Sequence, residues 1–309
     1  MSTSVFNKTR LLFAAKFTAS IGLIAYLFLK FDFRFPPADV KTAVLLLGSV
    51  VLLLAQPVVI AARWRLLLGA FGVKSSLFEA MRITWISVFA NQFLPASVGG
   101  DVVRVVMARS KGWGISGPIM SVFFDRGFAV LSLFIMIVLL APFLFDYEQS
   151  RVVILIAGGV ALAGAVGLGV VIALAPALER WVTSRPSLAR WQELVASTRI
   201  LLSSPKVLFQ VLIQSAVVHI LSFSALALIA SAFGVQLPLL NLMALGGMIT
   251  LAHILPISIA GWGVRDAASV VLLSTGGVDS SSALSISLLL GVGYAIASLP
   301  GAILWLTSR

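Results

Sequence analysis

Cysteine is absent from the 309-residue chain, which excludes disulfides, thiolate nucleophiles and cysteine-held metals. Acidic side chains are few, 11 against 22 Lys and Arg, and there are only two histidines. Two histidines without a cluster of carboxylates give no reason to expect a zinc site, and no cofactor is expected. Charge of either sign is scarce. It makes up 11% of the residues, where a soluble domain carries about 25%. The chain therefore lacks the means to clothe a water-facing surface. What it has instead is 60% hydrophobic residues and a mean hydropathy of +1.09, the composition of an integral membrane protein. A net charge of +11 on a soluble domain would point to nucleic acid. Here the basic residues sit mostly in short loops between apolar runs, where they orient the chain and meet anionic lipid headgroups. Membrane lipids, not nucleic acids, are the expected partners.

A helix needs about 20 apolar residues to cross the hydrocarbon. Runs at 11–29, 42–62, 116–145, 152–175, 207–233 and 282–306 predict such crossings in an all-α, polytopic fold. The first run follows Lys8 and Arg10, as the core of a signal peptide would. Lys16 interrupts it and no small-x-small exit precedes Lys30, so it reads as a retained helix. Two further runs, 77–94 and 239–255, are shorter and end in Leu94-Pro95 and Leu255-Pro256. Each leads through glycines to a second short run, 102–108 or 267–274. At 1.5 Å per residue such a run reaches only about 12 Å, too little to cross. The spacing predicts broken re-entrant hairpins over 77–109 and 239–275 within a single transmembrane domain, 1–309, with an interrupted full crossing as the alternative. Exposed backbone at such a break needs protein or a wet cavity around it. With both termini in the cytoplasm, most basic residues fall on that side, leaving Lys30, Arg34, Lys41, Arg151 and Arg265 outside. That bias is what the positive-inside rule requires of a plasma (inner) membrane protein.

The two breaks are alike. Gln92-Phe-Leu-Pro-Ala-Ser-Val-Gly-Gly-Asp-Val-Val-Arg104 parallels His253-Ile-Leu-Pro-Ile-Ser-Ile-Ala-Gly-Trp-Gly-Val-Arg265. Entering from opposite faces, they predict two inverted repeats, as in transporters whose binding site lies where the repeats meet. Pro95 and Pro256 stop or kink the helices before them, and Gly99, Gly100, Gly261 and Gly263 permit tight backbone paths. A half-helix starting at each glycine pair would aim amide donors into the protein, with Arg104 and Arg265 in its first turns. Amides and a guanidinium together grip phosphate.

Asp101 has three readings: a cap for its own helix, a partner for Arg104, or an acceptor for a cationic or hydroxylated headgroup. Asp125-Arg126 lies well inside an apolar run, where charges face the bundle interior and find partners. It reads either as an ion pair with Asp101 or Arg104, or as the lining of a polar path. Asn91 and Gln92 precede Pro95, where their amides can satisfy freed backbone groups or a ligand. His219 reads as a hydrogen-bonded interior residue or a proton-sensitive group, and His253, nearer the second break, is the better site candidate. Arg63-Trp64-Arg65 reads as an interfacial anchor. The stretch 176–203 reads as an amphipathic helix on the lipid surface or a solvated loop.

With these motifs the chain resembles the transmembrane region of lysylphosphatidylglycerol synthases, a flippase-like family. The likeness rests on Asn91-Gln-Phe-Leu-Pro-Ala-Ser-Val-Gly-Gly-Asp-Val-Val-Arg104 and Leu255-Pro-Ile-Ser-Ile-Ala-Gly-Trp-Gly-Val-Arg-Asp266, and it spans essentially the whole chain. Family members usually end the second motif in Glu. Asp266 keeps the acid and shortens it by one methylene. The resemblance implies movement of an aminoacylated phospholipid, another anionic phospholipid or a polyprenyl-linked lipid between leaflets. In the best-known relatives a separate soluble domain makes the lipid. This chain ends at Arg309, soon after its last apolar run, so the resemblance implies a translocase without the synthase.

Three functions compete on the residues. A translocase of anionic or lipid-linked headgroups needs broken helices and buried charges. Its candidate contacts are Arg104, Arg265, Asp101, Asp266, Asp125, Arg126, Asn91, Gln92 and His253. No Gly-x-x-x-x-Gly-Lys-Ser/Thr loop occurs, so any ATP would be hydrolysed by another protein. A membrane enzyme acting on a lipid phosphate or headgroup would need a base or nucleophile, for which Asp101, Asp125 and His253 are the available set. A scaffold subunit beside an envelope lipid-synthesis enzyme is the third, and a homo-oligomer is compatible with each. The translocase is preferred, and no catalytic residue is assigned.

Overall fold

The computed structural model describes residues 18, 20–94, 99–144, 151–184, 189–254 and 261–307, and every regular element among them is helical. In order these are α1 (Ser20–Lys30), α2 (Val40–Ala70), α3 (Leu77–Asn91), α4 (Gly99–Ser110), α5 (Ser116–Leu140), α6 (Arg151–Thr183), α7 (Ala189–Leu202), α8 (Pro205–Ala232), α9 (Leu239–Ile254), α10 (Val264–Thr275) and α11 (Ser280–Leu306). A 3-10 turn, Ala141–Leu144, prolongs α5. Helices α2, α5 with its 3-10 turn, α8 and α11 are long and apolar enough to cross a membrane, as four of the apolar runs predict. Helix α6 covers the run at 152–175 with 33 helical residues. The start of the run at 11–29 lies outside the described residues, as do Pro95 and Pro256. The protein is an all-α, polytopic membrane protein.

Local chemistry sets several helix starts. Asp39 Oδ1 accepts from the Thr42 amide at 2.7 Å and opens α2. Asp279 does the same for α11 through Ser282, at 3.0 Å. Ser76 and Glu79 form a capping box at the start of α3. Each relieves amides that a helix leaves unpaired at its N-terminus. The Thr42 amide holds the Asp39 carboxyl below its ordinary range, and Ser76 does so for Glu79. The helix dipole favours the same charge at these positions.

Helices α2 and α8 pack along each other as the spine of the bundle. On either side the same succession recurs: helices of 31, 15, 12 and 25 residues (α2 to α5), then of 28, 16, 12 and 27 (α8 to α11). Exchanging α2 with α8, α3 with α9, α4 with α10 and α5 with α11 turns the main packing pairs into one another. Thus α3 on α11 becomes α9 on α5, and α2 on α5 becomes α8 on α11. The spine helices also end alike. Val73 donates to the Leu68 carbonyl and Gly72 to that of Gly69, while Val235 donates to Ala230 and Gly234 to Ser231. These are Schellman closures, which need a residue in the left-handed region; Gly72 and Gly234 supply it at φ +77° and +74°.

Helices α3 and α4 form an antiparallel hairpin. Lys111 Nζ lies 3.7 Å from Glu79 Oε1 at one end, and the Gly100 amide donates to Asn91 Oδ1 at 2.6 Å at the other. A Cβ on Gly100 would meet the Ser87 carbonyl and the Asn91 amide, so this approach requires glycine. Helices α9 and α10 pair likewise, with Gly276 against Leu237 and Leu245 at one end and Gly261 against His253 at the other. The hairpins start at different ends of α5. Helix α3 starts beside Lys111, just before α5, whereas Asn241 in α9 donates to the carbonyl of Phe143, just past the last residue of α5, at 2.8 Å. The 25 residues of α5 separate those ends by about 38 Å. Arg34 reaches Asp279 at 3.2 Å, so the α1–α2 and α10–α11 connections lie together.

Candidate functional site

Charges converge inside the first half of the bundle. Helix α2 continues to Ala70, well past the apolar run that ends at residue 62, and this carries Arg63 and Trp64 into the interior. Both are buried, at 4% and 0% exposure, which overturns their reading as an interfacial anchor; only Arg65 stays exposed. Arg63 Nε donates to Asp125 Oδ1 at 2.6 Å, and its Nη1 to Ser215 Oγ at 2.8 Å. Arg104 Nη1 donates to the other oxygen, Asp125 Oδ2, at 2.9 Å. One carboxylate thus ties α2, α4 and α5 together. The Arg104 guanidinium lies 5.3 Å over the Trp64 ring, a favourable place for a cation, and the Trp64 indole donates to Ser121 Oγ.

Asp101 does not pair with Arg104. Arg126 reaches it instead with two bonds, Nε to Oδ2 at 2.7 Å and Nη2 to Oδ1 at 3.1 Å, the fork geometry that suits guanidinium and carboxylate. Asp101 is almost wholly buried, while 48% of the Arg126 side chain is exposed. The cluster therefore holds Arg63, Arg104 and Arg126 against Asp101 and Asp125, a surplus of one positive charge. The connecting residues 95–98 carry no charge to offset it. Arg104 Nε is buried without a partner among the described residues. Asn91 satisfies the freed Gly100 amide, and Gln92 closes α3 as its C-cap.

The second half places its charges differently. Arg265 Nη2 and Nε donate to Asp266 Oδ1 at 2.7 and 3.1 Å. The Ser287 hydroxyl donates to the same oxygen at 2.6 Å, and the Gly263 amide to Oδ2 at 2.9 Å. The short Asp266 side chain reaches all of these from the first turn of α10. Arg265 lies 4.8 Å over the Trp262 ring. The pair is neutral and shut off, at 3% and 0% exposure. Beside it a cavity of about 40 Å³ is lined by Arg265, His253, Tyr294, Ser222 and Thr250, room for about one water. His253 Nδ1 is buried without a partner among the described residues. His253 lies within electrostatic reach of Arg265, Asp266 and Arg126. His219 is an interior residue, its Nε2 bonded to the Ala129 carbonyl at 2.9 Å.

Residues 13–301 match the lysylphosphatidylglycerol synthase TM region. The chain belongs to that family. No curated protein and no solved structure matches it. Membership in the lysylphosphatidylglycerol synthase transmembrane family, on a sheet-free bundle of long apolar helices, is consistent with lipid translocation across the membrane. Among the described residues no group of three or more His, Asp or Glu is placed to hold a metal ion. The buried charges of this family member are arginine–aspartate networks.

Sequence reasoning missed Arg63, Trp64, Ser215 and Ser287 as parts of these networks. For Arg63 a signal existed: helix-forming residues continue through Leu66-Leu67-Leu68. The serines carried none, because a lone serine in an apolar helix reads the same whichever way it faces.

Proposed function

We propose that this domain moves a lipid with an anionic phosphate headgroup between leaflets, and that Arg126, paired with Asp101, is the contact the headgroup meets on its way. One observation carries this. The first cluster has more positive than negative charge, and its Arg126 is the member left half-exposed. Surplus charge inside an apolar bundle is costly unless an anion completes it, and phosphate suits the guanidinium fork. An anionic phospholipid, an aminoacylated phospholipid and a polyprenyl-linked lipid share that phosphate. Asp101 is free to accept from an amine on the headgroup once Arg126 turns to the phosphate. Arg104 and Arg265, aligned by their motifs as phosphate contacts, serve in this reading to hold Asp125 and Asp266, because both are buried and engaged.

Two inverted repeats, α2 to α5 and α8 to α11, each with a re-entrant hairpin, fit this function. The exchange of packing pairs and the hairpins starting at different ends of α5 support them. The basic bias supports both termini in the cytoplasm. In this cysteine-free chain, single cysteines introduced at 151 and 279 should then label from the same, outer side.

The deciding experiment uses purified protein in vesicles with a labelled short-chain phosphatidylglycerol. Exchange between leaflets without chemical change is expected. Arg126→Gln removes a charge-assisted contact of about 1.5–3 kcal/mol, so lipid binding should weaken roughly 10- to 150-fold in a protein that still folds. Conversion of the lipid into a product, or unaltered binding by folded Arg126→Gln, would overturn the reading.

A further inference from the structure

A groove of about 710 Å³ runs along the outside of the α3–α4 hairpin and is closed at one side by Trp305 of α11. Its ends differ in chemistry. Where α3 starts and α4 ends stand Arg82, Lys111 and Glu79. The Glu79 carboxylate is already engaged, accepting from the Ser76 amide at 3.1 Å and the Ser76 hydroxyl at 2.9 Å. Lys111 lies 3.7 Å from it, too long for a hydrogen bond. Arg82 has neither a hydrogen bond nor an ion pair among the described residues. Two cations thus face one committed carboxylate at the mouth. Toward the middle of the hairpin the wall becomes aliphatic, with Ile86, Val102 and Val106 lining it. Val102 and Val106 are a helical turn apart and 58% and 60% exposed. Positive charge at one end and an apolar trough behind it is the shape of an anionic lipid: phosphate at the mouth, chain along the valines. Val102 also follows Asp101 directly in α4.

We propose that this groove docks one anionic phospholipid, with its phosphate on Arg82 and Lys111 and an acyl chain along Val102 and Val106. That the docked lipid then passes to Arg126 rests on the translocation reading; the docking itself does not. Bromine on an acyl chain quenches an indole it touches, and Trp305 borders the groove. Nanodiscs of phosphatidylcholine would carry a minor fraction of chain-brominated phosphatidylglycerol or, in parallel, of chain-brominated phosphatidylcholine. Comparison with Trp305→Phe isolates the Trp305 signal.

Several-fold stronger quenching by the phosphatidylglycerol is expected, weakening as salt screens the mouth. The preference should vanish in the Arg82→Gln/Lys111→Gln protein. It should also vanish in Val106→Phe, which fills the trough and leaves both cations in place. Equal quenching by the two lipids, or a preference that survives both variants in folded protein, would overturn the docking. Leaflet exchange on the same preparations separates the two readings. Slowed exchange in Arg82→Gln/Lys111→Gln supports docking on the transport path. No exchange by the wild type, with the quenching preference intact, would sink translocation and leave the groove a lipid site.

Discussion

The two arginine–aspartate clusters use the same parts to opposite ends. Each lays an arginine on a tryptophan face, Arg104 on Trp64 and Arg265 on Trp262, and each adds a serine hydroxyl, from Ser215 or Ser287. In the second half one arginine meets one aspartate, and the Gly263 amide and Ser287 complete the carboxylate. Nothing is left over. In the first half three arginines share two aspartates, and the Arg126 side chain is 48% exposed. In the proposed reading a buried ion pair alone does not mark a binding site; the imbalance does. In that reading the neutral, satisfied pair is a structural joint and the surplus charge serves a ligand that arrives.

The comparison breaks or sharpens through substitutions. The largest effect is expected at Asp125→Asn, which strands both Arg63 and Arg104. Removing one partner of a buried pair costs about 3–5 kcal/mol, and the upper end is expected in thermal unfolding of the purified protein. Arg265→Gln strands Asp266, but Ser287 and the Gly263 amide still hold the carboxylate, so the lower end of that range is expected. Ser287→Ala removes one hydrogen bond to a charged oxygen, about 1.5–3 kcal/mol, with no change in lipid binding. Arg126→Gln leaves the buried Asp101 carboxylate without its guanidinium, at a cost of about 1–3 kcal/mol of stability, held down because the Arg126 side chain itself is half-exposed and screened by solvent. Were Arg126→Gln to unfold the protein while Arg265→Gln left it stable and unable to bind lipid, the roles of the halves would be exchanged.

The smallest expected effect lies away from both clusters, at Asp279. Its partial burial pushes the carboxyl up, but Ser282 and Arg34 outweigh this and hold it below its ordinary range. A carboxyl lowered by folding adds stability above its unfolded pKa and loses it as the pH falls through the folded value. Asp279→Ala should therefore lower stability by about 0.5–2 kcal/mol at neutral pH. The difference between variant and wild type should fade below about pH 4, as unfolding measured across pH would show.

Much of this was legible before folding. Four long apolar runs became helices fit to cross, and the Pro/Gly interruptions separated short helices that pair. Asp125 and Arg126 stood out because charge in an apolar run needs a reason. Their reading as an ion pair with Asp101 or Arg104 is what the structure holds, Arg126 on Asp101 and Asp125 on Arg104; which acid takes which arginine, and Arg63 as a further partner, were not legible. Asp101 sits three residues from Arg104, yet the rotation of α4 against α5 gives it Arg126, a choice only tertiary packing can make. The alignment of the two breaks also misled. It equated Arg104 with Arg265, but these stand sixth and second in their 12-residue helices, while Asp101 and Asp266 are both third. The acids, not the arginines, hold matching positions, because the second connection is longer. One likeness between the halves went unread: Phe-Gly-Val at 71–73 and again at 233–235, where the spine helices close with the same turn.

Helix α6 stands outside this correspondence. It packs on α5, on the 3-10 turn and on α7, and no helix of the other half answers to it. With the halves oriented as proposed, its contribution is one of parity. Each half has two crossings, so the chain leaves it on the side where it entered. An even number of crossings between the halves would repeat the first half facing the same way, and both hairpins would open to one leaflet. A single one flips the copy. Most residues of α6 should then tolerate any apolar replacement, while deleting the helix whole would turn a two-sided device into a one-sided one.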